Sequence, residues 1–425
     1  MALILLFISL LLLLLLGAPV AVALALASLL YIALKGLPDV LLIHTMIGGI
    51  DSFPLLAIPL FIMAGHLMNT GGITEKIFLF ARALVGWLPG GLGHVNVGAS
   101  VIFAGMSGAA VADAGGLGNV EIKAMRDAGY DTPFAVGITA ASSTIGPIIP
   151  PSLPLVIYGV MASVSIGELF AAGVIPGLLM ALSLMIMVAW LAHRRGYPRD
   201  SKINFCRIWL TFRRAFLPLL TPVIIVGGIV SGIFTPTEAA VVAVIYAWVL
   251  GMVVYRTLAW RQLLRVTLDT IETSAAILMI VASAAVFAWI LTANQTAEIL
   301  GEMLLGITTN PHILILLMML IVLFIGLFME TIAAITILVP VLLPIAISAG
   351  IDPVHLGVLL ILNLMLGLLT PPVGMVLFVL AKISAVSFEQ CVKATLPFLV
   401  PLLMVLLLIL FVPQTTLWLP TLFYR

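Results

Sequence analysis

Apolar stretches follow one another along almost the whole chain, and charge is concentrated in the segments between them and at their ends. Apolar runs of this kind predict membrane helices, because about 20 residues at 1.5 Å rise cross the hydrocarbon core. Spans are predicted over about 167–192, 216–233, 236–255 and 269–293. The first residues, MALILLFISLLLLLLLGAPVAVALALASLLY, lack the charged start of a signal peptide and exceed its apolar core, so they predict retained spans. One unbroken span and two spans divided at Gly17-Ala18-Pro19 both fit. Thr74–Trp87, with Lys76 and Arg82, is short and amphipathic, which predicts a helix lying along the cytoplasmic interface.

The interruptions within the apolar runs repeat. Shifted by 221 residues, Phe103–Pro176 falls on Phe324–Pro397 without a gap. Gly105 meets Gly326, Ala128-Gly129 and Asp131 meet Ala349-Gly350 and Asp352, and Glu168 and Pro176 meet Glu389 and Pro397. Gly146, Pro150 and Pro151 meet Gly367, Pro371 and Pro372. Apolar matches follow from composition alone, whereas matched Gly, Pro and carboxylates do not, so the repeat is read as an internal duplication.

Composition turns these runs into a membrane protein. Of 425 residues 63% are hydrophobic and 8% charged, with a mean hydropathy of +1.33. A soluble domain carries roughly 25% charged residues, so lipid has to be the solvent here. A net charge of +1 without a basic block gives no footing for nucleic acid. Cys206 and Cys391 read as small apolar fillers, and the six scattered histidines form no zinc pattern.

Charge also orients the repeat, since cytoplasmic loops collect Lys and Arg. Lys123 and Arg126 of the first copy stand opposite Pro344 and Ile347, while Lys382 and Lys393 of the second stand opposite Met161 and Ala172. The copies therefore cross in opposite senses, the inverted construction of secondary transporters. His193–Arg214, with seven Lys/Arg against one Asp, and the segment with Arg256, Arg261 and Arg265 read as cytoplasmic loops. The loop with Glu298 and Glu302 reads as external. Segments 94–122 and 312–348 then start and end on one side, which predicts two re-entrant hairpins. Their tips fall near Gly105-Met106-Ser107-Gly108 and Phe328-Met329-Glu330-Thr331.

Candidate chemistry gathers at these tips and at the broken helices after them. Asp113 and Glu330 are functional if they lie at membrane depth and structural if they snorkel or pair, and both readings stand. In Ser142-Ser143-Thr144-Ile145-Gly146-Pro147 and on to Pro150-Pro151, and in Gly367-Leu368-Leu369-Thr370-Pro371-Pro372, proline deletes donors and unwinds the helix. Freed carbonyls, helix-end dipoles and hydroxyls make a cage of neutral oxygens suited to Na⁺. A single such segment would read as a proline kink, but two matched copies favour ion sites. Thr235-Pro236-Thr237-Glu238 reads as a helix-opening capping box. A GxxxxGK[ST] phosphate loop is missing, so the chain does not read as an ATPase. No GxSxG elbow stands out either, and an intramembrane Ser–Asp hydrolase, which motifs alone leave open, would not explain the matched double prolines.

With these motifs the chain resembles the large membrane subunit of the tripartite ATP-independent periplasmic (TRAP) transporters. The stretches carrying the resemblance are DSFPLLAIPLFIMAG at 51–65, GMSGAAVADAGGLG at 105–118, SSTIGPIIPPSLPLVIYG at 142–159, FTPTEAA at 234–240 and GLLTPPVGMVLF at 367–378. It implies an all-α polytopic protein with an inverted-repeat elevator fold, two re-entrant hairpins and two unwound helices. Residues 1–92 would give scaffold spans and an interfacial arm, 93–193 the first transport part, 194–311 a basic loop and further scaffold, and 312–425 the second transport part. One Na⁺ site would join Ser107 and Gly108 to Ser142, Ser143, Thr144 and Gly146; the other would join Glu330 and Thr331 to Gly367, Leu369 and Thr370. Substrate is expected beside Asp113, Pro150, Pro151, Pro371 and Pro372. The resemblance further implies a bacterial inner membrane, with the N-terminus cytoplasmic and the C-terminus periplasmic. No cofactor is expected beyond Na⁺ as coupling ion. The partners would be a small four-helix membrane subunit and a periplasmic binding protein delivering a small organic acid such as a C4-dicarboxylate or sialic acid. A stand-alone ion-coupled carrier of the related elevator type is the alternative.

Overall fold

The computed structural model describes residues 2–199, 204–308 and 310–424, leaving aside the side chains of Met106, Ser107, Ala297, Leu304, Leu305 and Ile307. The described residues form helices and connecting turns, with no strand among them. Helices α1 (Ala2–Leu15), α2 (Val20–Leu34) and α3 (Val40–Ile50) lead to α4 (Ala57–Thr70) and α5 (Ile73–Val85). The first copy then runs through α6 (Gly91–Ser107), α7 (Ala110–Asp127), α8 (Thr132–Ser143), α9 (Leu153–Ala162) and α10 (Ile166–Arg195). Next come α11 (Phe205–Val230), α12 (Pro236–Val249, prolonged by a π turn to Val254), α13 (Trp260–Ala293) and α14 (Thr296–Ile307). The second copy comprises α15 (Pro311–Gly326), α16 (Thr331–Ser348), α17 (Pro353–Gly367), α18 (Met375–Ser384) and α19 (Phe388–Phe411), and α20 (Gln414–Phe423) closes the chain.

Seven of the described helical segments are long and apolar enough to cross a bilayer: 53–70, 166–195, 205–230, 236–254, 260–293, 331–348 and 388–411. The chain is a multi-pass membrane protein. Its N-terminal apolar stretch forms two packed helices, parted where Gly17 takes φ +82° and Pro19 follows. The basic segment His193–Arg214 is more helical than a loop reading allows. α10 runs through Arg195, and α11 opens at Phe205, capped by the Asn204 side chain on Arg207 N at 3.2 Å. Likewise Arg261 and Arg265 ride on the first turns of α13. Charged stems extend a helix beyond the apolar window that locates its span, because the backbone continues its hydrogen bonds into the interface. Cys391 is buried as a filler should be, but Cys206 is exposed on α11. The capping box forms: Thr235 Oγ1 accepts from Glu238 N, and Glu238 Oε2 accepts from Thr235 N at 2.8 Å.

The repeat reappears helix by helix. The 221-residue shift lays α7 on α16 end to end and superposes α6 on α15, α8 on α17 and α9 on α18 in order. The correspondence continues upstream, with α4 on the second half of α13 and α5 on α14. Each hairpin packs across the duplication: α7 against α18, and α16 against α9. Around this centre α4 packs on α12 and α13, α13 also covers α2, α3 and α16, and α11 lies against α5 and α12. If the charge reading of orientation holds, a cysteine at Lys123 labels from the cytoplasm and one at Glu302 from the periplasm, as membrane-impermeant thiol reagents on right-side-out vesicles would report. Reversal of either would break the inverted arrangement.

Candidate functional site

In each copy the hairpin tip is pressed onto its own broken helix. At the first tip Gly108 takes φ +61°, and a Cβ there would lie 2.6 Å from the Pro151 carbonyl oxygen. The left-handed conformation and the close approach both require glycine. At the second, a Cβ on Gly367 would lie 2.6 Å from both C and O of Gly326, and Val373 N donates to Leu327 O at 3.3 Å. Both proline pairs, Pro150-Pro151 and Pro371-Pro372, have cis peptide bonds. The pairs differ in setting: Pro150 and Pro151 are buried, Pro371 and Pro372 exposed.

The hydroxyls at the broken ends all direct their protons into the protein. Ser143 Oγ donates to Ala140 O at 2.8 Å, Thr144 Oγ1 to Ala141 O at 2.6 Å, Thr370 Oγ1 to Leu366 O at 2.7 Å and Ser142 Oγ to Asn96 Oδ1 at 2.6 Å. A hydroxyl so engaged has only lone pairs left for a ligand. Asp113 is 2% exposed, and its Oδ2 lies where a Cβ on Gly146 would come within 2.2 Å, so this carboxyl touches the broken segment of copy one. In copy two Glu330 is half-buried and caps α16, accepting from Ile332 N at 2.8 Å and Ala333 N at 3.3 Å. Thr331 Oγ1 and Asn363 Oδ1 are buried oxygens with no hydrogen-bond partner among the described residues. Orphan oxygens of this kind suit a hard cation. Leu369 is buried one residue before Thr370 and offers its backbone. The Ser107 side chain lies outside the described residues.

Helix polarity sorts the region into two kinds of ground. The C-termini of α6 and α8 end in copy one's broken region, and those of α15 and α17 in copy two's. C-termini carry roughly −0.5 charge each and favour cations. A cavity of about 350 Å³ opens between the hairpin tips and helices α4 and α13. Its wall includes the first residues of four helices: Ala110 of α7, Leu153 of α9, Thr331 of α16 and Met375 of α18. N-termini carry roughly +0.5 charge and favour anions, although at α16 the Glu330 carboxyl already takes the N–H groups of Ile332 and Ala333, and at α9 Ser152 Oγ takes that of Leu155. Gly65, His66 and Asn69 from α4 and Thr273 from α13 form the opposite wall. No Lys or Arg stands among its described lining residues. Of the residues expected beside substrate, Asp113, Pro150, Pro151, Pro371 and Pro372, none is in that described lining, while Glu330 and Thr331 from the ion set are.

Sequence reasoning passes over the scaffold wall, where His66, Asn69 and Thr273 carry no motif. It also passes over a buried polar group in copy one: Asn96 donates to Glu121 Oε2 at 2.6 Å and to Thr139 Oγ1 at 2.7 Å. These three have only leucines at the matched positions Leu317, Leu342 and Leu360, so comparing the copies hides them. Uncommon polar residues inside apolar helices are the available signal.

A broken-helix pair facing a shared cavity defines a membrane carrier, and comparison with known proteins names its family. Residues 7–415 match the model of the tripartite ATP-independent periplasmic transporter DctM component. The chain belongs to this family, that of the TRAP large permease subunits. It is 50% identical over 378 residues to the sialic acid TRAP transporter large permease protein SiaM of Vibrio cholerae, covering 89% of this chain and 88% of that one. To the sialic acid TRAP transporter permease protein SiaT of Haemophilus influenzae it is 43% identical over 407 residues, 96% of this chain but 66% of the longer relative. To the 2,3-diketo-L-gulonate TRAP transporter large permease protein YiaN of Escherichia coli it is 38% identical, covering 97% and 98% of the two chains. Among solved structures, the Alcanivorax borkumensis YdaH transporter shares the fold, with TM-score 0.66, 87% of each chain covered and 16% identity.

Proposed function

We propose that this chain is the translocating subunit of a Na⁺-driven importer of a small organic acid, working by an elevator motion in a bacterial inner membrane. The observation that carries the proposal is the cavity on which four helix N-termini open without a lysine or arginine in its described wall. Such a wall attracts a carboxylate through backbone dipoles. Glu330 in the same wall opposes an anion, and Na⁺ at the adjoining broken helices offsets that charge, which ties anion binding to ion binding. The hairpins and broken helices of both copies form one interleaved body that would move against α4, α11, α12 and α13. A periplasmic binding protein delivers the acid, and a separate four-helix subunit enlarges the scaffold. The names of the relatives favour sialic acid first, with sugar-derived keto acids and C4-dicarboxylates after it.

Proteoliposomes holding this chain and the small subunit test the proposal. Uptake of radiolabelled sialic acid is expected only with the loaded binding protein outside and an inward Na⁺ gradient. Ser143→Ala and Thr370→Ala are each expected to raise the half-saturating Na⁺ about three- to tenfold, the scale of a lost oxygen contact of ~1 kcal/mol. Uptake by this chain alone would favour the stand-alone carrier. An unchanged Na⁺ response in both variants would remove the hydroxyls from the ion sites.

A further inference from the structure

Beneath the broken end of α8, the helices α6, α7 and α8 share a buried contact built around one amide. Asn96 on α6 is fully buried; its Nδ2 donates to Glu121 Oε2 on α7 at 2.6 Å and to Thr139 Oγ1 on α8 at 2.7 Å. Its Oδ1 accepts the hydroxyl of Ser142 at 2.6 Å. Glu121 is 2% exposed, and its Oε1 has no hydrogen-bond partner among the described residues. A buried carboxyl without a visible structural necessity calls for a role.

An amide donates from one end and accepts at the other, so its orientation dictates what Ser142 presents. With Oδ1 toward Ser142, the single hydroxyl proton is engaged and both lone pairs turn away from Asn96. Reversed, Nδ2 would occupy a lone pair and push the hydroxyl proton outward, where it repels a cation. The Glu121 carboxyl holds the amide the first way by accepting from Nδ2 at 2.6 Å. Ser142 has only a weaker local alternative, Thr139 O at 3.3 Å. The second copy has nothing comparable, since Leu317, Leu342 and Leu360 take the three positions and Asn363 stands for Ser142.

We propose that Glu121 and Asn96 are positioning residues that aim the Ser142 oxygen at the ion of copy one, an inference that rests on the sodium reading of segment 142–146. Neither touches the ion. Glu121→Gln keeps the volume but lets the amide face either way, and Glu121→Leu removes the acceptor as copy two does. Each is expected to raise half-saturating Na⁺ for uptake about three- to tenfold, while the rate at saturating Na⁺ falls less. The decisive readout is coupling. In a Ser142→Ala background, which itself weakens Na⁺, the same Glu121 substitutions should leave half-saturating Na⁺ where Ser142→Ala alone puts it. Equal shifts with and without Ser142 would mean a general structural role and overturn the proposal. So would an unshifted Na⁺ response of both Glu121 variants. Uptake by the parent that needs no Na⁺ would instead overturn the sodium reading beneath it.

Discussion

Gly367→Ala is expected to abolish transport and lower thermal stability, although it adds a single methyl to an apolar helix. The methyl carbon would sit 2.6 Å from the backbone C and O of Gly326. No rotamer change relieves a clash with backbone, so the hairpin of copy two must lift from its broken helix. Overpacking of this kind costs about 1–3 kcal/mol, and here it falls on the contact between the hairpin and the broken helix at which the second ion site is proposed. Gly227→Ala on α11 is the control, with nothing within 4 Å of the added carbon, and is expected to be neutral or slightly stabilising. Fluorescence-monitored melting in detergent, with uptake in proteoliposomes, reads both effects. A Gly367→Ala protein that melts and transports as the parent does would show that the tip and the broken helix are not held this tightly.

That each copy holds a hairpin followed by a broken helix is legible in the chain itself, because glycine and paired prolines stand at matched positions of both copies, whereas the contact of each tip with its own broken helix is expected only from the family resemblance. Gly105, Gly146, Pro150 and Pro151 recur as Gly326, Gly367, Pro371 and Pro372, and such residues mark backbone geometry that apolar composition cannot imitate. What sequence does not show depends on contacts between distant elements. His66 and Thr273 line the same wall of the cavity from positions some 200 residues apart, where α4 and α13 pack together and Thr270 Oγ1 lies 3.4 Å from His66 Nδ1. The convergence of four helix N-termini is equally a property of packing, since each start is signalled locally but their common destination is not. Helix ends in basic segments escape a hydropathy reading for another reason: Arg261 and Arg265 lower hydropathy without breaking the α-helix. The N-terminal stretch is ambiguous in sequence because Pro19 tolerates either a kink or a break, and the positive φ of Gly17 settles it as a break.

Asp113 is legible as a costly carboxylate but not as a neighbour of Gly146, and that contact leads to the second large effect. Asp113→Asn is expected to raise half-saturating Na⁺ more than tenfold while the protein still folds. The carboxyl is buried on the first turn of α7, near the helix's positive end, and its Oδ2 presses on Gly146 in the broken segment. If Asp113 faces the proposed ion as a carboxylate, exchanging its oxygen for an amide removes an interaction of about 1.5–3 kcal/mol, or roughly ten- to a hundredfold in affinity. Gly146→Ala should produce the same phenotype by a different route, because its Cβ would take up space 2.2 Å from Oδ2 and displace the carboxyl. If both act through one contact, the double variant will be little worse than either single one. Additive losses, or an Asp113→Asn protein whose Na⁺ titration of uptake overlays the parent's, would instead place the carboxyl outside the ion site and leave it a packing partner of the broken helix.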